Sequence, residues 1–396
     1  MPAESHLLNV FNWPDLNLVR GEGCWVWDDK GDKYLDCIAG IAVNALGHAN
    51  PILVKALTDQ AGKLWHTSNM FKVAGQETLA KKYTDSSFAD VVFFTNSGTE
   101  AIEGALKTVR KYHSANGHPE RVDIIGFQGS FHGRSYAAIN ASGNPSYLEG
   151  FGPRLPGYLQ APFGDIDAVK ALIGPTTAGV IIEPVQGEGG VRTAPEGFLK
   201  ALRKLADENG FLVIFDEVQS GAGRTGKLWA HEWDGVTPDV MAVAKGVGGG
   251  FPMGAFLATK EAAKAMTKGV HGTTFGGNPL AMAVGNACFD ELSKPEFLER
   301  VRVISNHLGQ ALEGIKDRHP ELVVEVRGKG LLRGLKLTID PKEIQAKLRA
   351  RKVLVGVAGD NVLRLAPPLI IDETQVSQAI DTIDSVLSGM MAEAGA

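Results

Sequence analysis

Six short apolar runs through the middle of the chain constrain its fold more than any other feature. They occupy residues 91–94, 123–127, 180–183, 211–215, 240–244 and 255–258. Each is strand-length and nearly continuous in apolar residues, with little of the polar alternation that a half-solvated strand shows. Helical patterns stand between several of them, notably at 97–113 and 195–209. Apolar strands separated by helices imply a largely parallel sheet covered on both faces, and hence an α/β fold class. In such sheets ligands bind beyond the carboxyl ends of the strands. That rule gathers residues 95–99, 128–134, 184–190, 216–219 and 245 on one rim.

The texture differs on either side. Residues 23–27 and 33–37 flank Asp28-Asp29-Lys30-Gly31-Asp32, a hairpin signal with glycine in its loop. Residues 51–62 read as an amphipathic helix. Beyond Asn278-Pro279-Leu280 come helices at 281–292 and 297–315 and strand-like pieces at 322–326, 331–337 and 353–365. A closing helix follows at 373–390, then a tail at 392–396 expected to fray. This is the pattern of a smaller α+β domain sharing its core with the N-terminal segment. The expected division is a large domain over 51–280 and a small one over 1–50 and 281–396, since 396 residues exceed one ordinary core.

The totals exclude several function classes. A net charge of -5 provides no basic field for nucleic acid. No uninterrupted apolar run is long enough to span a membrane. Residues 1–5 open neither a signal nor a transit peptide. Cys24, Cys37 and Cys288 have no metal-ligand spacing and leave an odd one over, which suits a reducing compartment. The class left is a cytoplasmic enzyme without a metal.

The rim carries residues with chemistry. Lys245 ends the run 240–244, and Gly248-Gly249-Gly250 follow shortly after. Burial of its stem lowers an amine's pKa, and such a lysine forms Schiff bases with carbonyl compounds or pyridoxal phosphate. A snorkelling surface lysine is the plain alternative. Asp216 follows another apolar run; it pairs either with a cation, such as a protonated pyridine nitrogen, or with structural donors. Ser97 and Glu100 form a capping-box pattern, and Gly98 allows an anion to approach the first-turn amides. In Phe131-His132-Gly133-Arg134 the aromatic can stack on a planar group and Arg134 can grip a carboxylate. Arg364 lies in an apolar stretch and wants a carboxylate, either Glu188 or one from a substrate. Residues 271–279 offer the hydroxyls of Thr273 and Thr274, as a phosphate site or an ordinary loop. Gly221-Ala222-Gly223-Arg224-Thr225-Gly226 matches a dinucleotide pattern, but it starts well past its strand, opens no clear helix and has Gly246 where an acidic ribose ligand belongs.

The ordered set of SGTEA, FHGR, EPVQGEGG, DEVQSGAGRTG, AKGVGGGFPMGA, HGTTFGGNPLA and VLRLAPPL resembles the class III aminotransferases, in the ornithine/acetylornithine branch of the fold-type I pyridoxal phosphate enzymes. The resemblance covers nearly the whole chain. It implies a mostly parallel seven-stranded sheet in the large domain and pyridoxal 5'-phosphate as cofactor. It also implies a homodimer that shares each active site across subunits. Lys245 would carry the cofactor and Asp216 would pair with its ring nitrogen. Gln219 would sit near the ring hydroxyl, Phe131 would stack on the ring, and Gly98 and Thr99 would bind the phosphate with Thr274 of the other subunit. Arg134, with Thr273 close by, would grip the donor's α-carboxylate. Arg364 would bind 2-oxoglutarate or glutamate, with Glu188 masking it in the other half-reaction. The implied donor is N2-acetyl-L-ornithine; succinylornithine, N-succinyl-diaminopimelate, ornithine and 4-aminobutyrate stay open. A nucleotide-dependent oxidoreductase built on the Gly221 loop is the reading from a different class.

Overall fold

The computed structural model describes residues 6–394. The opening residues 1–5 and the last two of the tail, 395–396, lie outside the described residues.

All six apolar runs are strands of one seven-stranded sheet. Its order in space is Val91–Thr95, Gly254–Ala258, Val240–Ala244, Leu212–Asp216, Thr177–Ile182, Asp123–Phe127 and Tyr158–Ala161. Gly254–Ala258 runs against both its neighbours, and the other adjacent pairs are parallel. Successive side chains feed opposite cores. Met241 and Val243 join Val213, Phe215, Val180 and Ile182 on one face; Val240 and Ala242 join Leu212, Ile214 and Ile181 on the other. The helix Gly98–Ala115 covers the second face with Ala101, Ile102, Ala105, Leu106 and Val109. Each larger side chain buried there contributes about 1.5–3 kcal/mol. Gly104 sets how closely the helix approaches, since a Cβ there would come within 2.2 Å of the Phe256 ring. The seventh strand, Tyr158–Ala161, was not legible as one: it is a short edge with only its terminal residues buried.

A second, antiparallel sheet orders Val323–Lys329, Leu332–Leu337, Val362–Leu365 and Gly356–Ala358. The stretch 353–365, expected as one folded piece, is three strands. Val353–Leu354 leaves the second sheet and pairs in parallel with Lys33–Asp36. That strand belongs to an N-terminal sheet with Trp25–Asp28 and Leu18–Glu22. Leu35 and Cys37 thus share a core with Val353 and Leu365. The helices Pro279–Leu292, Pro295–Arg318 and Glu373–Ala394 form where expected, the last continuing through 394 where fraying was expected. Among the described residues no helix is long and apolar enough to cross a membrane.

Candidate active site

A cleft of about 310 Å³ lies beyond the carboxyl ends of the central strands, lined by Gly98, Thr99, Phe131, His132, Glu183, Asp216, Gln219 and Lys245 among others. Sheet register explains the convergence. Asp216, the last residue of its strand, stands opposite Ala242, and Lys245 follows that neighbouring strand directly. Lys245 takes a left-handed conformation, φ 51°, that costs a side-chain-bearing residue about 1–2 kcal/mol. Its amine has no hydrogen-bond or ion-pair partner among the described residues. Burial lowers its pKa to about 8, with the Glu188 carboxylate opposing and the Arg364 guanidinium adding to the shift. The result is an amine with a substantial neutral, nucleophilic fraction near neutral pH.

Asp216 is buried and held from two sides. His132 Nδ1 lies 2.7 Å from its Oδ2, and the Val218 amide donates to its Oδ1 at 3.0 Å. The His132 amide in turn donates to Ser142 Oγ at 3.0 Å, which fixes the loop. His132 Nε2 has no partner among the described residues. A carboxylate on Nδ1 selects the tautomer protonated there. The second carboxyl group, Glu183, accepts from the amides of Phe131 at 3.2 Å and Gly187 at 3.3 Å. Burial, and then the charge of Asp216, push Glu183 well above the usual carboxyl range.

The N-terminus of the helix Gly98–Ala115 opens on the same cleft. Ser97 caps it, accepting from the Glu100 amide at 3.3 Å. The returning bond departs from the expected capping box: Glu100 Oε2 accepts from the Asn96 amide at 2.7 Å rather than from Ser97. A Cβ on Gly98 would sit 2.7 Å from Val218 Cγ1, and one on Gly133 would sit 2.3 Å from Thr99 Oγ1. Glycine at both places lets backbone close around the first turn, whose free amides and dipole attract an anion.

The carboxylate-binding candidates are arranged around this centre. Arg134 is exposed at the rim, its guanidinium 4.3 Å from the Tyr147 ring and 5.5 Å from that of Phe131. Arg364 is buried, pairs with Glu188 and donates to Gln219 Oε1 at 3.3 Å. Burial disfavours the charged Glu188 carboxyl, yet Arg364 outweighs it and holds the group below its usual range. Gln219 therefore touches both the cleft and the arginine. Thr273 and Thr274 do not line the Lys245 cleft. They line an adjoining one of about 500 Å³ that shares Asn96 and Thr99 with it. Thr274 is exposed, and Thr273 Oγ1 accepts from the Gly276 amide at 3.0 Å.

The glycine loop 221–226 does not open a helix; turns lead instead to the short segment Ala230–Trp233. Arg224 within it is buried against the carbonyls of Leu331 and Pro367, so the loop serves packing between sheets. His132 and Glu183 are site residues to which sequence reasoning gave no role. The signal existed for Glu183, which ends an apolar run just as Asp216 follows one.

His132 acts on Asp216 rather than on a reactant, so its removal tests positioning. His132→Ala is expected to lower kcat roughly tenfold, as loss of about 1.5 kcal/mol from a hydrogen bond to a charged group implies. His132→Gln, whose amide can still donate, recovers part of the loss. Equal, unrecovered losses in both variants would mark His132 as a packing residue only.

A nucleophilic amine, a buried carboxylate and an anion cup on one cleft suit a phosphate-bearing, aromatic carbonyl compound. Comparisons with known proteins agree. Residues 9–387 match the family model of class III aminotransferases. The chain is 56% identical to acetylornithine aminotransferase 2 of Caulobacter vibrioides, over all of this chain and 98% of that one. Among solved structures it is similar to the N-acetylornithine aminotransferase of Stenotrophomonas maltophilia K279a, with 38% identity, a TM-score of 0.84, and coverage of 96% of this chain and 97% of that one. It is also similar to the ornithine aminotransferase of Toxoplasma gondii, with 30% identity, a TM-score of 0.92 and coverage of 96% and 92%; that structure shows pyridoxal phosphate partly occupying its active site. Seven strands in a mostly parallel sheet, the amine at a strand end and a match along nearly the whole chain lead to one conclusion: this chain belongs to the class III aminotransferases.

Proposed function

We propose that this chain is a pyridoxal phosphate enzyme moving the terminal amino group of N2-acetyl-L-ornithine to 2-oxoglutarate. The products are N-acetyl-L-glutamate 5-semialdehyde and L-glutamate, a step of arginine biosynthesis. The observation that carries this reading is the amine of Lys245, brought to about 8 by burial, on the same cleft as Asp216 and the capped helix N-terminus. The residues present fit the cofactor: the cleft narrows at Gly98 and Gly133, where any Cβ would clash, and Lys245 is unpaired among the described residues. We assign the phosphate to Gly98 and Thr99, the ring face to Phe131, the ring nitrogen to Asp216 and the ring hydroxyl to Gln219. Three free, buried thiols agree with a cytoplasmic setting. The division into a large unit over 51–280 and a small one over 1–50 and 281–396 belongs to the same reading.

Bound pyridoxal phosphate supplies an electron sink and carries the amino group between the two substrates. Lys245 Nζ would hold the cofactor and, as a free amine, would take the proton from the donor carbon that bears the terminal amine. Because this base stands at the reacting centre, proton transfer needs no diffusional encounter. Asp216, oriented by His132 and the Val218 amide, places its negative charge to hold a proton on the ring nitrogen. Arg134, with Thr273, grips the donor's α-carboxylate and leaves the far end of the donor at the reacting centre. Arg364 binds 2-oxoglutarate, and Glu188 covers Arg364 while the donor is bound.

A homodimer completes the site in this reading, with Thr274 contributed by the second copy. Leu64, Trp65, Met70, Phe71 and Phe275 are exposed beside Thr273 and Thr274, tied to that loop by the His66–Phe275 ring contact and by Asn69, which donates to the carbonyls of Thr273 and Gly276. An apolar patch of this kind marks an association surface.

The test is a panel of amino donors against 2-oxoglutarate, with glutamate as the product followed. Acetylornithine is expected to lead. Preference for ornithine, 4-aminobutyrate or a succinylated donor would move the assignment to a sister enzyme. In the same panel Arg134→Ala is expected to lower kcat/KM for acetylornithine by roughly 10²-fold, the loss of about 3 kcal/mol from a charged, bidentate contact. The absorption of the bound cofactor stays unchanged in that variant. Unaltered donor kinetics would take Arg134 out of this role.

A further inference from the structure

The residues from Gly187 to Val191 form the tip of a small hairpin, Val185–Gln186 against Arg192–Thr193, and Glu188 stands within it. This tip lies against the second sheet, the one that carries Arg364. Cross-strand register places Arg327 opposite Gly334, and Gly334 opposite Arg364. Residues in one such row project on the same face. Two arginines thus stand on one face with a glycine between them, and the Glu188 tip fills the space above. A Cβ on Gly334 would lie 3.1 Å from Val191 Cβ. Arg364 takes the Glu188 side chain. Arg327 Nη1 takes the backbone, donating to the Gly190 carbonyl at 3.3 Å and to Asp360 Oδ2 at 2.8 Å.

The other flank is held as well. The Gly359 amide donates to the Glu188 carbonyl at 2.8 Å. Gly359 opens a tight turn whose next residues, Asp360 and Asn361, both have positive φ, at 59° and 53°. The Asp360 carboxylate, shared by Arg327 and by Lys336 at 3.0 Å, fixes that turn. Val191 is fully buried with Leu332 and Val362 and keeps a left-handed φ of 52°, a strain for a β-branched residue that persists only where surroundings enforce it. The backbone from the Glu188 carbonyl through Val191 is therefore pinned to Arg364's own sheet.

We propose that Arg327, together with Asp360, is a positioning residue for the Glu188–Arg364 pair. It clamps the Glu188 loop to the sheet that bears Arg364, so that the pair opens by rotation of the Glu188 side chain and not by motion of one sheet against the other. This inference rests on the reading that Glu188 masks Arg364 between half-reactions. When a binding group is exposed only part of the time, its apparent dissociation constant is raised by the inverse of that fraction. A loosened loop pairs Glu188 less often and exposes Arg364 more.

The test is the KM for 2-oxoglutarate beside kcat/KM for the acylated donor, in the holoenzyme. Arg327→Met is expected to lower the KM for 2-oxoglutarate by roughly threefold to tenfold, through a larger exposed fraction of Arg364. Donor kcat/KM changes little. Asp360→Asn, at a half-exposed position that does not threaten folding, moves KM the same way by less. Arg327→Lys keeps the charge without the planar fork and falls between. Glu188→Ala lowers the same KM, and adding Arg327→Met to it brings no further change, since the two act through one pair. Unchanged KM in Arg327→Met and Asp360→Asn beside a lowered KM in Glu188→Ala overturns the clamp and leaves the mask standing. A full Arg327→Met effect on top of Glu188→Ala, or equal losses in both half-reactions, also overturns the clamp. No response to Glu188→Ala itself removes the mask, and the clamp with it.

Discussion

Lys245→Ala is expected to abolish turnover, by about 10⁴-fold or more, because in the proposed mechanism one atom serves as cofactor anchor and as the base that moves the substrate proton. The variant should still take up pyridoxal phosphate without a covalent bond, since the helix N-terminus, Asp216 and Phe131 remain on the cleft. Borohydride reduction of the wild-type enzyme followed by peptide mapping should label Lys245 and no other lysine. The amine's pKa of about 8 adds a pH signature. Below that value Nζ is mostly ammonium and cannot attack a carbonyl; above it the free amine dominates. Covalent uptake of pyridoxal phosphate by cofactor-free protein should accelerate as pH rises, with a midpoint near 8. Glu188 opposes the depression, so Glu188→Gln should move this midpoint to lower pH. Full activity of Lys245→Ala, or a label on a different lysine, would end the mechanism.

The central sheet and its rim were legible because burial on both faces leaves a strong trace. Val240–Ala244 and Asp123–Phe127 coincide with apolar runs of the sequence, and the rim rule gathers Gly98, Phe131, Asp216 and Lys245, all of which line the cleft. Tyr158–Ala161 left no such trace, since an edge strand of four residues needs little apolar sequence. Leu18–Glu22 has none of its residues buried. The helix Pro341–Ala350 was missed although Asp340 caps it and Pro341 opens it. The partners of site residues were harder than the residues themselves. Nothing in the spacing of His132 and Asp216 announces their contact, because it joins a loop residue beyond one strand to the last residue of another. The Glu188–Arg364 pair was among the sequence expectations, whereas nothing in the sequence sets Glu183 facing Asp216.

Asp216→Asn carries the second large expected effect. The substitution keeps the shape and leaves Oδ1 able to accept from Val218, but removes the negative charge that a protonated ring nitrogen needs. Loss of one preorganised electrostatic partner costs roughly 10²–10³ in kcat, and that is the expected fall. KM for 2-oxoglutarate should change far less, because Arg364 is untouched and lies beyond Gln219. The buried neighbour sharpens the test. Glu183 is shifted upward first by burial and then by the Asp216 charge. With that charge gone, Glu183 loses part of its upward shift, but it stays bound to the Phe131 and Gly187 amides and cannot replace the missing carboxylate without breaking both bonds. Loss of charge and damage to the cleft are separable. A cofactor analogue methylated on the ring nitrogen carries a permanent positive charge and needs no carboxylate to maintain it. It should restore part of the activity of Asp216→Asn while doing nothing for Lys245→Ala. If Asp216→Asn instead keeps wild-type kcat, the carboxylate held by His132 contributes no more than structure. The electron sink would then depend on some other group around the cleft.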